Sequence, residues 1–277
     1  MSKSKRRIVL TLTSIPPRFS NLPRKFREIY TQSVLPDRIE LNIPDHYRRF
    51  PGEVPSLPEL PEWVEVRRCR TDYGPATKVL PAVERWRGSE TDLLVTDDDR
   101  AQDRQWVERL CTSRSERPHD IISERGWEIS QRFLIERQQP DLPRVRWSKA
   151  KGRTAGYRLK RLLSLGQYHP PRRLVAEPGY VDVFEGFLGA LVPASAIPEM
   201  AFDIPDVVWM VDDVWLSGQA HAAGTRVWTH GTPRPVYSDG RVDKIAALRD
   251  YSSEGHGRES ADRHAVELLR SKYGAWP

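Results

Sequence analysis

Apolar and polar positions along the first half of the chain follow two alternating rhythms. Arg7–Thr13 (RIVLTLT) is apolar and β-branched and predicts a buried strand. Ser14-Ile15-Pro16-Pro17 ends it. Asn21 stands as an N-cap, with Pro23 in the first turn and Phe26, Ile29 and Tyr30 at helical spacing behind it. Residues 38–43 (RIELNI) predict a second strand, residues 44–61 a proline-rich loop, and the alternation over 62–68 (EWVEVRR) a third strand. Residues 72–78 (DYGPATK) lead into a helix carrying Val79, Leu80, Val83 and Trp86. Residues 92–96 (DLLVT) form a short apolar strand that stops at Asp97-Asp98-Asp99, and a helix around 102–110 follows. Strands alternating with helices predict an α/β fold: an open, mostly parallel sheet flanked by helices, Rossmann-like, with an irregular C-terminal half.

That second half is less regular. Residues 119–123 predict a strand and 157–165 a helix within loop. Residues 181–192 (VDVFEGFLGALV) are apolar with internal glycines. Residues 211–223 predict a helix with two acids at its start, 226–230 (RVWTH) a last strand, and the tail from Asp243 onward is charged and helix-prone.

Composition narrows the class. A chain of 277 residues can bury a core without staples. Cys69 and Cys111 show no CxxC spacing, which argues against a disulfide framework or zinc site and for reduced, buried thiols. The apolar run at 8–12 is too short for a signal segment or a membrane span, so the expected location is the cytoplasm, with peripheral contact at the inner membrane face. The net charge of +6 is unevenly spread. Residues 142–176 hold ten Arg and Lys and no acid. Such a block suggests an anionic partner (a diphosphate, a lipid headgroup, an acidic glycan or nucleic acid) or a solvated loop without a ligand.

Four segments carry candidate chemistry. Ligands of open α/β sheets bind beyond the carboxyl ends of strands, where Asp97-Asp98-Asp99 sits. Adjacent carboxylates repel one another, and Mn²⁺ or Mg²⁺ is an economical partner for them; helix capping or an acidic loop is the alternative use. Asp212 and Asp213 open a helix. One acid suffices for capping, so the second is a candidate general base. His230, at a strand end, is either structural or a metal ligand. Glycines in Glu185-Gly186-Phe187-Leu188-Gly189 imply a close backbone approach or a bulge. Clustered aspartates also suit a phosphohydrolase or nucleotidyltransferase, although no Walker-type loop is present. Trp147, Tyr157 and Tyr168 interleave with cations as in a nucleic-acid-binding protein, but no matching motif appears and no nucleic acid is expected.

Taken in order, residues 11–18 (TLTSIPPR), 72–78 (DYGPATK), 96–99 (TDDD) and 212–216 (DDVWL) resemble bacterial GT-A glycosyltransferases related to family 2, of the capsule and surface-polysaccharide type. The resemblance spans about residues 7–230. It implies one domain over 1–277, with a nucleotide-sugar-binding half (7–110), an acceptor-binding half (111–240) and a helical tail (241–277). It implies hexosyl transfer, with inversion, from a nucleotide-diphosphate sugar (a UDP-sugar foremost) to a hydroxyl of a glycan or lipid-linked acceptor. Thr13, Ser14 and Arg18 would meet the nucleotide; Asp72 and Lys78 would hold base, ribose or diphosphate. Asp97-Asp98-Asp99 matches the DxD motif, with Asp97 and Asp98 toward the nucleotide and Asp97 and Asp99 toward the metal. Asp213 or Asp212 takes the place of the catalytic base, and His230 that of a further metal ligand. Arg100 stands where the pattern expects an apolar residue. The basic window lies outside the pattern and is assigned to an anionic acceptor or an anionic membrane surface.

Overall fold

The structure, a computed structural model, describes residues 6–135, 142–148, 154–164, 175–231, 237–238, 242, 244–246, 248, 255 and 257–277. Five residues of the basic window (Lys149, Lys151, Arg153, Arg172 and Arg173), together with Tyr168, lie outside the described residues, as does most of the tail between 243 and 257.

Eight strands form the main sheet: β1 (Arg7–Thr13), β2 (Arg38–Pro44), β3 (Val64–Cys69), β4 (Thr91–Val95), β5 (Ile121–Ser123), β6 (Gly179–Val181), β7 (Ala190–Pro193) and β8 (Val227–Thr229). Their order across the sheet is β6-β8-β5-β7-β4-β1-β2-β3. Six of the eight run the same way, and β7 and β6 are reversed. The expected mostly parallel α/β sheet is therefore present, with one inverted strand, β7, inserted beside β4.

Seven helices accompany it among the described residues: α1 (Leu22–Ile29), α2 (Leu80–Trp86), α3 (Trp106–Glu116), α4 (Ile129–Phe133), α5 (Ala155–Leu163), α6 (Asp212–Ala222) and α7 (Arg258–Tyr273). Alternation along β1 and β4 splits the core between the two faces. Ile8, Leu10, Leu12 and Leu94 join Leu22, Phe26 and Ile29 of α1 and Trp106 and Leu110 of α3. Val9, Leu93 and Val95 face the other way, onto Leu80 and Val83 of α2 and Val214 and Trp215 of α6. Successive strand residues point to opposite faces, so an all-apolar strand such as LLV is what a sheet covered on both sides requires. Each fully buried Leu, Ile or Phe contributes about 1.5–3 kcal/mol relative to exposure.

Local signals shifted at several points. Asn21 precedes α1, but its side chain makes no cap hydrogen bond, because a 3₁₀ turn over Pro16–Asn21 already leads into the helix. The helix expected at 102–110 starts at Trp106, since Arg100–Ala101 pairs instead with Tyr237–Ser238 as a short ladder. Cys69 is buried and free, whereas Cys111 is only partly buried. No helix among the described residues is long and apolar enough to cross a membrane.

One acid of β4 is structural. Asp92, at the N-terminal end of the strand, is buried against Arg114 Nε at 3.0 Å and Arg6 Nε at 3.1 Å. The acids beyond the other end of the same strand have a different setting.

Candidate active site

The carboxyl ends of β1 and β4, the 72–78 segment and the start of α6 surround one cleft of about 430 Å³. Thr13, Ser14, Arg18, Asp72, Lys78, Asp97, Asp98, Asp99, Asp212 and Asp213 all line it. Ten of the eleven residues singled out in the sequence thus meet in one place, although they come from four separate segments. Thr13 does so with its hydroxyl turned to the sheet, donating to the Asn42 carbonyl at 2.8 Å.

Two built-in cations organise the acids. Arg18, carried by the 3₁₀ turn after β1, sets Nη1 2.9 Å from Asp98 Oδ1 and 3.0 Å from Asp99 Oδ2. The Ser14 hydroxyl donates to Asp98 Oδ2 at 2.5 Å. Lys78, on the turn that enters α2, places Nζ 2.8 Å from Asp97 Oδ1 and 2.9 Å from Asp212 Oδ2. Burial alone would lower the affinity of the Lys78 amine for its proton. The charges of Asp212, Asp97 and Asp213 outweigh that and hold its pKa well above the ordinary lysine value.

The three aspartates then differ sharply. Burial works to raise Asp97, but the charge and hydrogen bond of Lys78 prevail and hold it below the usual carboxylate range. Asp98 is raised by burial in spite of Arg18 and Ser14. Asp99 is pushed up to about 6, first by burial and then by repulsion from Asp97 and Asp98. Arg100, the departure from the expected pattern, sets Nε 3.4 Å from Asp99 Oδ1 and lays its guanidinium over the Phe187 ring. It adds a further positive charge where the acids are most crowded.

Across the cleft, Asp213 Oδ1 accepts the Gly186 backbone N–H at 3.0 Å. A Cβ at Gly186 would come within 2.9 Å of that same oxygen, so the glycine is what lets the backbone approach. The close backbone approach expected from Glu185-Gly186-Phe187-Leu188-Gly189 is thus present. Burial, and next the charge of Asp212, raise the Asp213 carboxyl well above its ordinary value. Asp72 accepts backbone N–H groups of Arg48 and Gly74, each at 2.8 Å, and is raised by burial. Gly74 adopts φ +60°, and a Cβ there would lie 2.6 Å from the Trp209 ring. Trp209 forms the adjoining wall and donates Nε1–H to the Asp72 carbonyl at 3.3 Å.

His230 is the exception. It follows β8, a strand that lies three places and about 14 Å from β4 across the sheet. Its Nε2 sits 3.1 Å from Glu124 Oε1, and it does not line the cleft. Sequence reading missed Tyr47, Trp209, Arg132 and Arg258, which do line it. Trp209 lies in an apolar run that reads only as core, and nothing in the spacing of Arg132 or Arg258 marks them.

Among the described residues, no three His, Cys, Asp or Glu side chains converge as a closed metal cage would need. An ion held by one or two carboxylates and by a bound diphosphate needs no such cage. Asp99 Oδ1 is buried and accepts no hydrogen bond, although Arg100 Nε stands 3.4 Å away, so this oxygen has a lone pair to offer an ion. An all-oxygen donor set of this kind fits Mn²⁺ or Mg²⁺.

No protein-family model matches the chain, and no curated protein matches its sequence. Solved structures do. GalNAc-T7 with UDP, GalNAc and Mn²⁺ superposes with a TM-score of 0.51 at 12% identity, covering 99% of this chain and 50% of that one. The chain therefore spans half the length of GalNAc-T7. Residues 1–349 of S. aureus TarS give a TM-score of 0.45 at 10% identity, covering 95% of this chain and 70% of that one. The mannosyltransferase PcManGT from Pyrobaculum calidifontis, in complex with GDP-Man and Mn²⁺, gives 0.41 at 12% identity, covering 98% of this chain and 72% of that one. At 12% identity, what the chain shares with GalNAc-T7 is the fold, a GT-A-like mixed sheet flanked by helices.

Proposed function

We propose that this chain is a metal-dependent glycosyltransferase that moves a sugar from a nucleotide-diphosphate donor to an acceptor hydroxyl, with inversion. A UDP-sugar is the donor class put first, and a glycan or lipid-linked glycan of a bacterial surface polysaccharide the acceptor class. The observation that carries the reading is the meeting of the two acid pairs in one cleft: Asp97 and Asp99 beyond β4, and Asp212 and Asp213 at the head of α6. Lys78 joins the two groups through one ammonium.

In this reading Asp97 and Asp99 hold Mn²⁺ or Mg²⁺. The bound ion supplies Lewis-acid neutralisation of the donor diphosphate. Arg18 and Lys78 fix positive charge beside the same phosphates and need no rearrangement as the leaving group's charge develops. Ser14 and Asp98 brace Arg18, and Asp72 and Trp209 bound the space for base and ribose. His230, whose Nε2 lies near Glu124 outside the cleft lining, is given no part.

Asp213 takes the proton of the acceptor hydroxyl. The freed oxygen lone pair forms the new bond at the anomeric carbon, while the bond from that carbon to the phosphate oxygen breaks. The electron pair leaves with the nucleoside diphosphate. The raised proton affinity of Asp213 suits a base, and Gly186 fixes its orientation. Asp213→Asn is the direct test. Donor binding, read by calorimetry, should persist, while transfer falls ~10²–10⁴-fold. Transfer at the normal rate would remove Asp213 from the mechanism.

A further inference from the structure

The helix α5 (Ala155–Leu163) is built unlike the others. None of its nine residues is buried. Leu159, Leu162 and Leu163 are 56%, 73% and 75% exposed, although leucine is a residue a soluble helix normally turns inward. At 3.6 residues per turn, the three leucines fall within an arc of about 100°. Arg158 and Lys160 stand on either side of that arc, and Arg161 lies on the opposite face, where Nη1 donates to the Tyr157 hydroxyl at 3.3 Å. The Thr154 hydroxyl accepts the Tyr157 N–H at 3.3 Å and caps the helix start. The element is thus a capped helix with an uncovered leucine stripe bordered by cations.

We infer that α5 docks the protein on the surface of an anionic lipid bilayer, its leucines entering the acyl boundary and its cations meeting the headgroups. A helix with an apolar stripe and basic flanks lies in the plane of such an interface. Charge decides among occupants. Residues 142–176 contain ten Arg and Lys and no acid. A second copy would bring the same cations against these. A neutral apolar groove would cover the leucines but bring no negative charge to this cationic stretch. A soluble polyanion would satisfy the charges but leave the leucines in water. A surface that is apolar beneath an anionic layer satisfies both. The inference goes beyond the transfer reaction and does not rest on it.

The test is sedimentation of the full chain with vesicles of phosphatidylcholine alone and of phosphatidylcholine with about a third phosphatidylglycerol. Binding is expected to the second and not to the first, and to weaken as salt rises. Leu162→Gln with Leu163→Gln should reduce binding at least ~10-fold, because two leucine side chains lose their apolar surroundings. Arg158→Gln and Lys160→Gln should each reduce it about five-fold. All these positions are exposed, so the variants should keep the circular dichroism of the parent. A measurement that needs no variant is amide hydrogen exchange over 155–163, which should slow on adding anionic vesicles. Four results would overturn the inference. They are no sedimentation with anionic vesicles, leucine variants that bind like the parent, unchanged exchange over 155–163, and a concentration-dependent dimer that the leucine changes dissolve.

Discussion

Lys78 offers the sharpest test of how the cleft is held together. Its side chain is buried, and its Nζ stands 2.8 Å from Asp97 Oδ1 and 2.9 Å from Asp212 Oδ2. Lys78→Met keeps most of the volume and removes the charge. Two carboxylates then lose their shared partner, and one of them, Asp212, is buried. Removing one partner of a buried ion pair typically costs about 3–5 kcal/mol, because the charges left behind are uncompensated. That would be a large part of a total stability of about 5–15 kcal/mol. The sign of the pH dependence follows. In the variant the released carboxyls bind protons more tightly when folded than when unfolded. The penalty is therefore full at pH above their folded pKa and fades as pH falls. Urea unfolding of both proteins at pH 7.5 and pH 5 reads it directly. The expected gap is about 3–5 kcal/mol at pH 7.5 and clearly smaller at pH 5. A gap below ~1 kcal/mol at pH 7.5, the size of a surface pair, would refute the view that this ammonium holds the acids together, as would an equal gap at both pH values.

Three further outcomes follow from the geometry. Asp99, pushed up to about 6 from 3.8, keeps its proton longer in the folded state, so it lowers stability above that range by on the order of 3 kcal/mol and not below about pH 4. Mn²⁺ with UDP should therefore raise the melting temperature at pH 7.5 more than at pH 5, and equal rises would count against Asp99 as a ligand. Gly186→Ala would put a methyl 2.9 Å from Asp213 Oδ1, and should lower kcat ~10–100-fold with little change in donor KM; kcat within two-fold of the parent would show that the placement of Asp213 does not matter. The acid limb of kcat/KM should lie well above the ordinary carboxylate pKa, because burial and Asp212 raise Asp213 and activity is lost as pH falls through that value. A profile flat down to pH 4 would contradict this.

What the sequence made legible were the local signals. Strands β1 and β4 are legible from their apolar, β-branched stretches, and the acids just past β4 from their place after one. The inversion of β7 was not legible, because a strand's direction is set by its neighbours and leaves no trace in its own alternation. Arg258 reaches the cleft because Ala261, Ala265 and Leu269 of α7 join the core that holds Val214 and Trp215 of α6. Gly218 permits that contact, since a Cβ there would lie 2.5 Å from Leu269 Cδ1. Pairing between elements so far apart in the chain is invisible to spacing. The place of His230 outside the cleft has the same origin. Its position at a strand end was right, but strand order, not strand ends alone, decides which ends share a cleft. Arg100 looked like a break in the motif, yet the fold uses it as a counter-charge to Asp99.

The central claim is that the acids beyond β4 bind a nucleotide-diphosphate sugar through a divalent cation. Calorimetric titration of UDP-, GDP-, CMP- and dTDP-sugars into the parent protein and into Asp99→Ala, each with and without Mn²⁺, measures it. One donor should bind the parent only when Mn²⁺ is present and lose that binding in Asp99→Ala. Binding of equal strength without the metal, binding unchanged in Asp99→Ala, or no binding by any of the four would contradict it.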